Sequence, residues 1–313
     1  MSTTPPGSAH NGAGAGNDTD FGIIDSHVHV WDPRVLQYPW LDGVPALNRP
    51  MLPNEVDRAD GRVRGMVFVQ ADCEAASALA EARWVAASEW PELRGIVAGA
   101  QLHELATLPR HLDALQEIPR MVGIRHNLQS EPDALFESAD FATGLTMLAR
   151  RGFTFDACVR HEQLPHLVRL IERVASVHIV LDHLGKPPLA QGIDSEQGRA
   201  WVLAIDALAR FENVSVKVSG LATEAPDAAT FDAHADAFIR HAVNAFGARR
   251  SMLGSDWPVT AVLGAGGAWG AGGTPSSFSA WAERVRRATA ASASEMRVIE
   301  SQTASEFYSL GLG

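Results

Sequence analysis

The sequence predicts an α/β chain folded as a single-domain (β/α)8 TIM-like barrel, because short apolar runs alternate with longer amphipathic segments. Each run has the continuous apolar character of a strand buried in a parallel sheet. Eight repeats favour a closed barrel over an open doubly wound sheet, and 313 residues suit one large domain. The eight runs lie near residues 23–30, 64–70, 94–100, 121–126, 153–158, 177–182, 213–218 and 251–256.

The segments between the strands have helical patterns, with three exceptions. Residues 1–20 are small and polar, so we expect a disordered tail before a barrel spanning 21–313. Residues 31–60 are Pro-rich and aromatic, and residues 260–277 are rich in Gly and Ala. Both follow strands, so both are predicted as lid loops over the active-site face, with a flexible surface insertion as the alternative for the second. The predicted helices are 74–90, 105–117, 134–151, 162–174, 197–211 and 230–246.

Composition narrows the function classes. A formal net charge of −11 argues against nucleic acid and anionic membranes as partners. Cys73 and Cys158 are too few for a disulfide framework, which favours a reducing compartment. No apolar run is long enough to span a bilayer, and the N-terminus lacks the basic start and apolar stretch of a signal peptide. We therefore expect a cytoplasmic protein with a small-molecule substrate. Its oligomeric state, a homo-oligomer included, is left open.

Polar residues collect where the predicted strands end, which is where barrel enzymes build their active sites. His27 and His29 are two residues apart on strand 1, so both side chains should point to the same side. A strand that is otherwise apolar has no packing reason to carry two inward histidines. The other strand-end residues are Arg125 and His126 on strand 4, His183 on strand 6 and Asp256 on strand 8. Together they predict a catalytic cluster.

Several further polar residues are assigned less directly. Asp25 is expected to support the cluster from below, and Asp182 is expected to point away from His183 as a structural residue. Lys217 could pair with a buried carboxylate or bind substrate. Its role and those of Arg160 and His161 are undecided. No G-x-S-x-G elbow is present, which argues against a serine nucleophile.

Seven stretches resemble the amidohydrolase superfamily of the amidohydrolase 2 type, and most closely its sugar-lactonase branch of L-fuconolactonase-like and L-rhamnonolactonase-like enzymes. They occur in family order across nearly the whole domain. The stretches are IIDSHVHVWDP (23–33), YPWL (38–41), VFVQAD (67–72), GIRH (123–126), LDHLGKP (181–187), KVSGL (217–221) and LGSDWPV (253–259).

The resemblance implies that His27, His29, His183 and Asp256 are the catalytic residues. Strand 4 carries Arg125 and His126 where binuclear members have a bridging ligand, and His161 lies past strand 5, so two metals are not expected. A single Zn²⁺ on His27, His29 and Asp256 remains chemically reasonable. The resemblance favours turnover without metal, so no cofactor is expected to be required.

The implied reaction opens a sugar (aldono-) lactone to the aldonic acid. Asp256 would act as general base on water, while the three imidazoles donate hydrogen bonds to the carbonyl. Arg125 and His126 would contact the substrate. Trp31, Tyr38 and Trp40 would either stack on an apolar sugar face or pack the first loop. The particular sugar, and a 1,4- or 1,5-lactone ring, are not determined.

Three rival functions remain. One is a Zn-dependent decarboxylase of aromatic acids, a lyase of the same superfamily, for which an obligatory metal would argue. Another is hydrolysis of a 2-pyrone-4,6-dicarboxylate type of lactone, which would need convergent arginines; Arg125 and Arg160 are the candidates. The third is a non-enzymatic barrel, which should have lost Asp256 or a strand-1 histidine.

Overall fold

The computed structural model describes residues 22–174, 176–267 and 277–311. Within them, eight parallel strands follow one another in chain order around a single sheet. The ring closes between the first strand and the chain after the eighth, where Asp256 N donates to His27 O (2.9 Å) and His29 N to Trp257 O (2.8 Å). The predicted single-domain (β/α)8 barrel is confirmed. The strands are β1 (Ile23–Val28), β2 (Val63–Val69), β3 (Leu93–Gly99), β4 (Met121–Asn127), β5 (Thr154–Cys158), β6 (Ile179–Leu181), β7 (Val214–Val218) and β8 (Ser251–Leu253).

Helices pack around the ring with their apolar faces inward. Their starts follow ordinary capping chemistry: Ser195 and Asp227 each accept a hydrogen bond from a backbone N–H of the first turn. The helices are α1 (Ala78–Ala87), α2 (Leu108–Gln116), α3 (Ala134–Glu137), α4 (Ala139–Arg150), α5 (Leu164–Arg173), α6 (Glu196–Leu208), α7 (Ala228–Phe246), α8 (Val259–Gly267), α9 (Phe278–Thr289), α10 (Ala293–Arg297) and α11 (Thr303–Phe307).

Two predicted segments differ from the structure. The single helix predicted over 134–151 is divided at Ser138, which is extended and caps α4 through its hydroxyl. The predicted loop 260–277 begins inside a helix, α8, while residues 268–276 and the predicted tail 1–20 lie outside the described residues. Pro258 stands directly before α8, where its fixed φ suits the start of a helix.

The first long segment, 31–60, is a packed cover. Within the segment, the backbones of Trp31 and Met51 form a β-bridge, and the side chains of Leu41 and Leu47 are buried. The opposite end of the barrel is closed by the chain after α11. Tyr308 packs there among apolar side chains from inside the ring, Ile24 among them. Of the helices in the described residues, none has the length and apolar character needed to cross a membrane.

Candidate active site

A β-bulge in β1 places the two strand-1 histidines. Asp25 pairs with Met66 and Val28 with Phe68, so β1 advances three residues while β2 advances two. The Asp25 carboxylate holds the bulge, because its Oδ1 accepts from His27 N (3.2 Å) and from Ser255 N beyond β8 (2.8 Å). Asp25 thus supports the cluster from below, as expected. The pKa of its buried carboxyl is raised to about 7, chiefly by burial.

The structure brings all four predicted catalytic residues together at the carboxyl ends of the strands. His27 Nε2 and His29 Nε2 are 3.1 Å apart. Asp256 Oδ1 lies 3.8, 3.5 and 3.9 Å from Nε2 of His27, His29 and His183. The second carboxylate oxygen accepts a hydrogen bond from the hydroxyl of Thr260 (2.6 Å), so the first turn of α8 fixes the orientation of Asp256.

The hydrogen-bond partner of Nδ1 decides whether an imidazole presents a proton or a lone pair at Nε2. His29 Nδ1 lies 2.7 Å from Val69 O, and a carbonyl only accepts, so Nδ1 carries the proton. A neutral His29 therefore presents a lone pair at Nε2, which corrects the expectation that all three rings donate to a carbonyl. His183 Nδ1 lies 3.0 Å from Ser219 Oγ. When that hydroxyl donates to Nδ1, His183 Nε2–H points at the cluster as a donor.

A buried ionic network lies beneath His27. Lys217 Nζ is 3.1 Å from His27 Nδ1, is 3.1 Å from Asp182 Oδ1 and pairs with Asp156. Tyr308 donates its phenolic O–H to Asp156 (2.8 Å). Asp182 does not point away from His183 as predicted: a carboxylate oxygen lies within 4.8 Å of a ring nitrogen of His183, and Oδ1 lies 3.3 Å from His27 Nδ1. The strand ends at Leu181, and the chain then turns through four consecutive residues of positive φ, 183–186, so strand alternation no longer applies beyond Asp182.

Burial and neighbouring charges set the protonation states. Burial is the largest cause lowering the pKa of His27 well below its usual value and that of His183 to about 4. Both rings are therefore neutral at pH 7. Burial raises the pKa of Asp256, but the neighbouring rings of His183, His29 and His27 outweigh it and hold that pKa below the usual range. The Asp256 carboxylate therefore lies beside the neutral imidazoles of His27 and His183.

The donor set fits a single zinc ion. At zinc–ligand distances of about 2.0–2.1 Å, tetrahedral ligand atoms are about 3.3 Å apart. The three atoms His27 Nε2, His29 Nε2 and Asp256 Oδ1 are separated by 3.1, 3.5 and 3.8 Å. The contacts behind them also suit a metal, since Val69 O holds His29 Nδ1–H and Asp182 lies at His27 Nδ1.

A cavity of about 260 Å³ opens directly onto the cluster. Trp31, Trp40 and Arg125 line it, as predicted for substrate-binding residues. Tyr38 does not line it and is buried at 5 % exposure. His126 lines a neighbouring cavity instead, with its ring between Leu102 N (3.3 Å) and Glu131 (3.2 Å). These two corrections reflect side-chain directions that strand-end position alone does not give.

Sequence reasoning missed part of the cavity wall. Lys186 lines it with its ammonium 3.1 Å from Glu224, and Gln129, Cys158 and Thr223 line it as well. The signal for Lys186 was present in the LDHLGKP stretch. Arg160 and His161 are absent from the described wall; Arg160 instead donates to Gln129 O (3.3 Å), and His161 pairs with Glu162.

The fold and the cluster define an enzyme that works at the carboxyl ends of barrel strands. A family model described as Amidohydrolase matches residues 24–309. An L-fucono-1,5-lactonase from Burkholderia multivorans (strain ATCC 17616 / 249) is 33% identical over 259 residues, 75% of this chain and 82% of the relative. The chain belongs to the amidohydrolase family and is an enzyme of the hydrolase class.

Solved structures agree with this assignment. Crystal structures of an amidohydrolase from Burkholderia multivorans, one with bound HEPES and one with bound zinc, are each 30% identical. Each match covers 92% of the present chain and 99% of the Burkholderia chain, with TM-scores of 0.78 and 0.77. A putative 2-pyrone-4,6-dicarboxylic acid hydrolase from Pseudomonas putida and a 5-carboxyvanillate decarboxylase from Sphingomonas paucimobilis, at 22% and 13% identity, show the fold alone.

Proposed function

We propose that this enzyme hydrolyses a neutral sugar lactone to the corresponding aldonic acid. The observation that carries the proposal is the position of Asp256 Oδ1, within 3.5–3.9 Å of three imidazole nitrogens at the base of the cavity. A carboxylate oxygen in this position can lie close to both the carbonyl group of a bound lactone and an attacking water. The 33% identical relative, which bears the name L-fucono-1,5-lactonase, supports the substrate class.

Asp256 would orient the attacking water and accept its proton as the oxygen bonds to the lactone carbonyl carbon. The charge that develops on the carbonyl oxygen would be stabilised by His183 Nε2–H. The bond from the carbonyl carbon to the ring oxygen then breaks, and the proton held by Asp256 passes to that ring oxygen. One lactone and one water give one hydroxy acid, with no covalent intermediate.

The walls of the cavity suit an uncharged, hydroxyl-rich ring. Trp31 and Trp40 present aromatic surface, and Gln129 and Thr223 present neutral hydrogen-bonding groups. A dicarboxylate substrate would need several free cations, yet Lys186 already pairs with Glu224. Among the described lining residues, this leaves the guanidinium of Arg125 to meet a carboxylate of the substrate. The pyrone-dicarboxylate alternative is therefore less well supported than a sugar lactone.

His27, His29 and Asp256 would hold a zinc ion. When bound, zinc supplies Lewis-acid polarisation of the carbonyl and lowers the pKa of the attacking water. His29 Nδ1 faces the carbonyl of Val69, and the lone pair that this tautomer leaves on Nε2 favours the assisted reaction over one in which all three rings donate hydrogen bonds. We further propose that the reaction belongs to carbohydrate metabolism in the cytoplasm, in keeping with the free thiols of Cys73 and Cys158.

The test is a pH-indicator hydrolysis screen over an aldonolactone panel, with chelator-treated and zinc-restored enzyme in parallel arms. We expect turnover of one or two sugar lactones and a loss of roughly 10²–10⁴-fold in kcat for Asp256→Asn. Asp206→Asn is the matched control, since Asp206 pairs with His241 away from the site. No lactone turnover, with zinc-dependent decarboxylation of an aromatic acid instead, would overturn the proposal in favour of the lyase.

A further inference from the structure

A second cavity, of about 410 Å³, lies beside the catalytic one. It occupies the space between the carboxyl ends of β2, β3 and β4 and the starts of α1 and α2. Three residues line both cavities: Asp72, Arg125 and Asn127. The catalytic cavity is slightly smaller than the roughly 300–1,000 Å³ of typical ligand sites, whereas the second falls within that range. The two together can hold a larger molecule than a single lactone ring.

The partition between the cavities is weak. Asn127 Nδ2 donates to Asp72 Oδ2 at 3.3 Å, and Asp72 is exposed. Its backbone is in the left-handed region (φ 61°), which is unfavourable for a residue with a side chain. A solvent-exposed hydrogen bond of this length is weak, because water can replace it when it breaks. A ligand could therefore part these side chains without disturbing the barrel.

Two polar atoms at the partition lack partners. Arg125 is 5 % exposed, and no hydrogen-bond partner for its Nε lies within the described ranges 22–174, 176–267 and 277–311. Asn127 Oδ1 is likewise buried and unpartnered among those residues. A buried donor or acceptor without a partner is unfavourable, so binding of a ligand that satisfies both atoms is favoured. A sugar hydroxyl can accept from Arg125 and donate to Asn127.

The lining of the second cavity indicates what kind of ligand it takes. Gln70, Gln101 and Thr107 offer neutral amide and hydroxyl groups, while Ala75 and Ala76 leave room. Glu104 and Asp72 add negative charge, which disfavours an anionic ligand. A neutral ring with several hydroxyl groups fits this lining best.

From these observations we infer that the second cavity binds a sugar ring joined glycosidically to the lactone. The inference rests on the proposed lactone hydrolysis and names its substrate class as glycosylated aldonolactones. The lactone would sit at Asp256 and its glycosyl substituent would cross the Asp72–Asn127 partition. Such a lactone must be supplied by two-electron oxidation of the anomeric carbon of a reducing disaccharide.

The test compares kcat/KM for a parent lactone and its glycosylated derivatives: glucono-1,5-lactone with cellobiono-1,5-lactone and with lactobiono-1,5-lactone. Ala76→Trp fills the second cavity from an exposed position, and Thr107→Trp does so from the start of α2. The matched control is Ala87→Trp, at the exposed end of α1 outside the cavity. We expect both filling variants to lower kcat/KM for the glycosylated lactone at least tenfold and to leave the parent lactone within twofold.

Two results would overturn the inference. Wild-type turnover of parent lactones without turnover of any glycosylated one, or an equal loss on both substrates in the filling variants, would refute the second subsite alone. Absence of turnover on every lactone by the folded wild-type enzyme would refute the proposed function and the subsite together.

Discussion

Lys217 Nζ and Asp182 Oδ1 lie 3.1 and 3.3 Å from the same atom, Nδ1 of His27, and 3.1 Å from each other. They favour opposite tautomers. An ammonium only donates, so Lys217 favours a lone pair on Nδ1 and a proton on Nε2, whereas a carboxylate only accepts and favours the reverse. Competition between the two decides whether His27 offers the cluster a donor or a metal-binding lone pair.

Removal of the ammonium should be costly. Lys217→Met leaves Asp156 and Asp182 buried without their cation, so we expect the free energy of unfolding to fall by about 3–5 kcal/mol. Urea denaturation at neutral pH measures this change. Tyr308→Phe removes only the phenolic hydrogen bond to Asp156, so its loss should be about 1.5–3 kcal/mol. Equal, small losses in both variants would contradict the pairing described for Lys217.

Zinc should bind at one ion per chain. We expect His29→Ala to weaken binding by more than the roughly 10–100-fold that loss of a supporting contact costs. His241→Ala is the control, because that ring pairs with Asp206 away from the cluster. Metal content by mass spectrometry and competition with a chromophoric chelator give the readout. Equal zinc affinity in the two variants would show that the ion does not bind at His29.

His27 and His183 should stay neutral at physiological pH. With the pKa of His183 near 4 and that of His27 well below its usual value, we expect their ¹⁵N imidazole signals to show no titration between about pH 5 and 8. His183→Gln identifies one signal by its disappearance. Between pH 6.5 and 4 the unfolded His183 binds a proton that the folded one excludes, so stability should fall with decreasing pH by about 1.4 kcal/mol per unit. A transition of both signals near pH 6.5 would refute this.

The contribution of Asp25 to stability should depend on pH in the opposite direction. Its folded pKa of about 7 lies above the usual 3.8, so the folded state retains a proton that the unfolded state loses as pH rises. The stabilisation that Asp25 provides is fully present below pH 4. It is lost as the pH rises to about 7, by about 1.4 kcal/mol per pH unit. Asp25→Asn keeps the oxygen that accepts from His27 N and Ser255 N. The stability of this variant relative to wild type should therefore rise between pH 4 and 7 and level off above.

Urea unfolding of both proteins at several pH values measures this difference. Asp206→Asn provides the control, since Asp206 is half exposed and outside the bulge. A difference between Asp25→Asn and wild type that does not change from pH 4 to 7 would mean that Asp25 is ionised throughout.

The barrel could be predicted from the sequence because its strands are buried on both faces and therefore read as apolar runs. The positions of His27, His29, His183 and Asp256 followed from strand ends, where backbone direction alone brings side chains together. The bulge at Asp25 could not be predicted, because it depends on a hydrogen bond to Ser255, 230 residues away. Helix α8 was also missed, since the glycines in its sequence favour a loop on local propensity.

Side-chain direction limited the remaining assignments. Tyr38 and His126 were predicted to line the cavity at the cluster, yet Tyr38 is buried and His126 lines the neighbouring cavity. The network of Asp156, Lys217 and Tyr308 joins three distant parts of the chain, so no local pattern signals it. Lys186 is reached through a left-handed turn, and its presence in the wall depends on that backbone geometry.

The hydroxyl of Tyr308 has a consequence for the order in which this enzyme is assembled. The residue follows all eight strands in the sequence and donates to Asp156, whose partner Lys217 contacts His27 on the first strand. During synthesis the barrel strands leave the ribosome well before this tyrosine does. Until it docks, Asp156 lacks its phenolic donor and the electrostatic setting of His27 is incomplete. The electrostatic setting of His27 is therefore completed only after all eight strands and the chain that follows α11 have been synthesised.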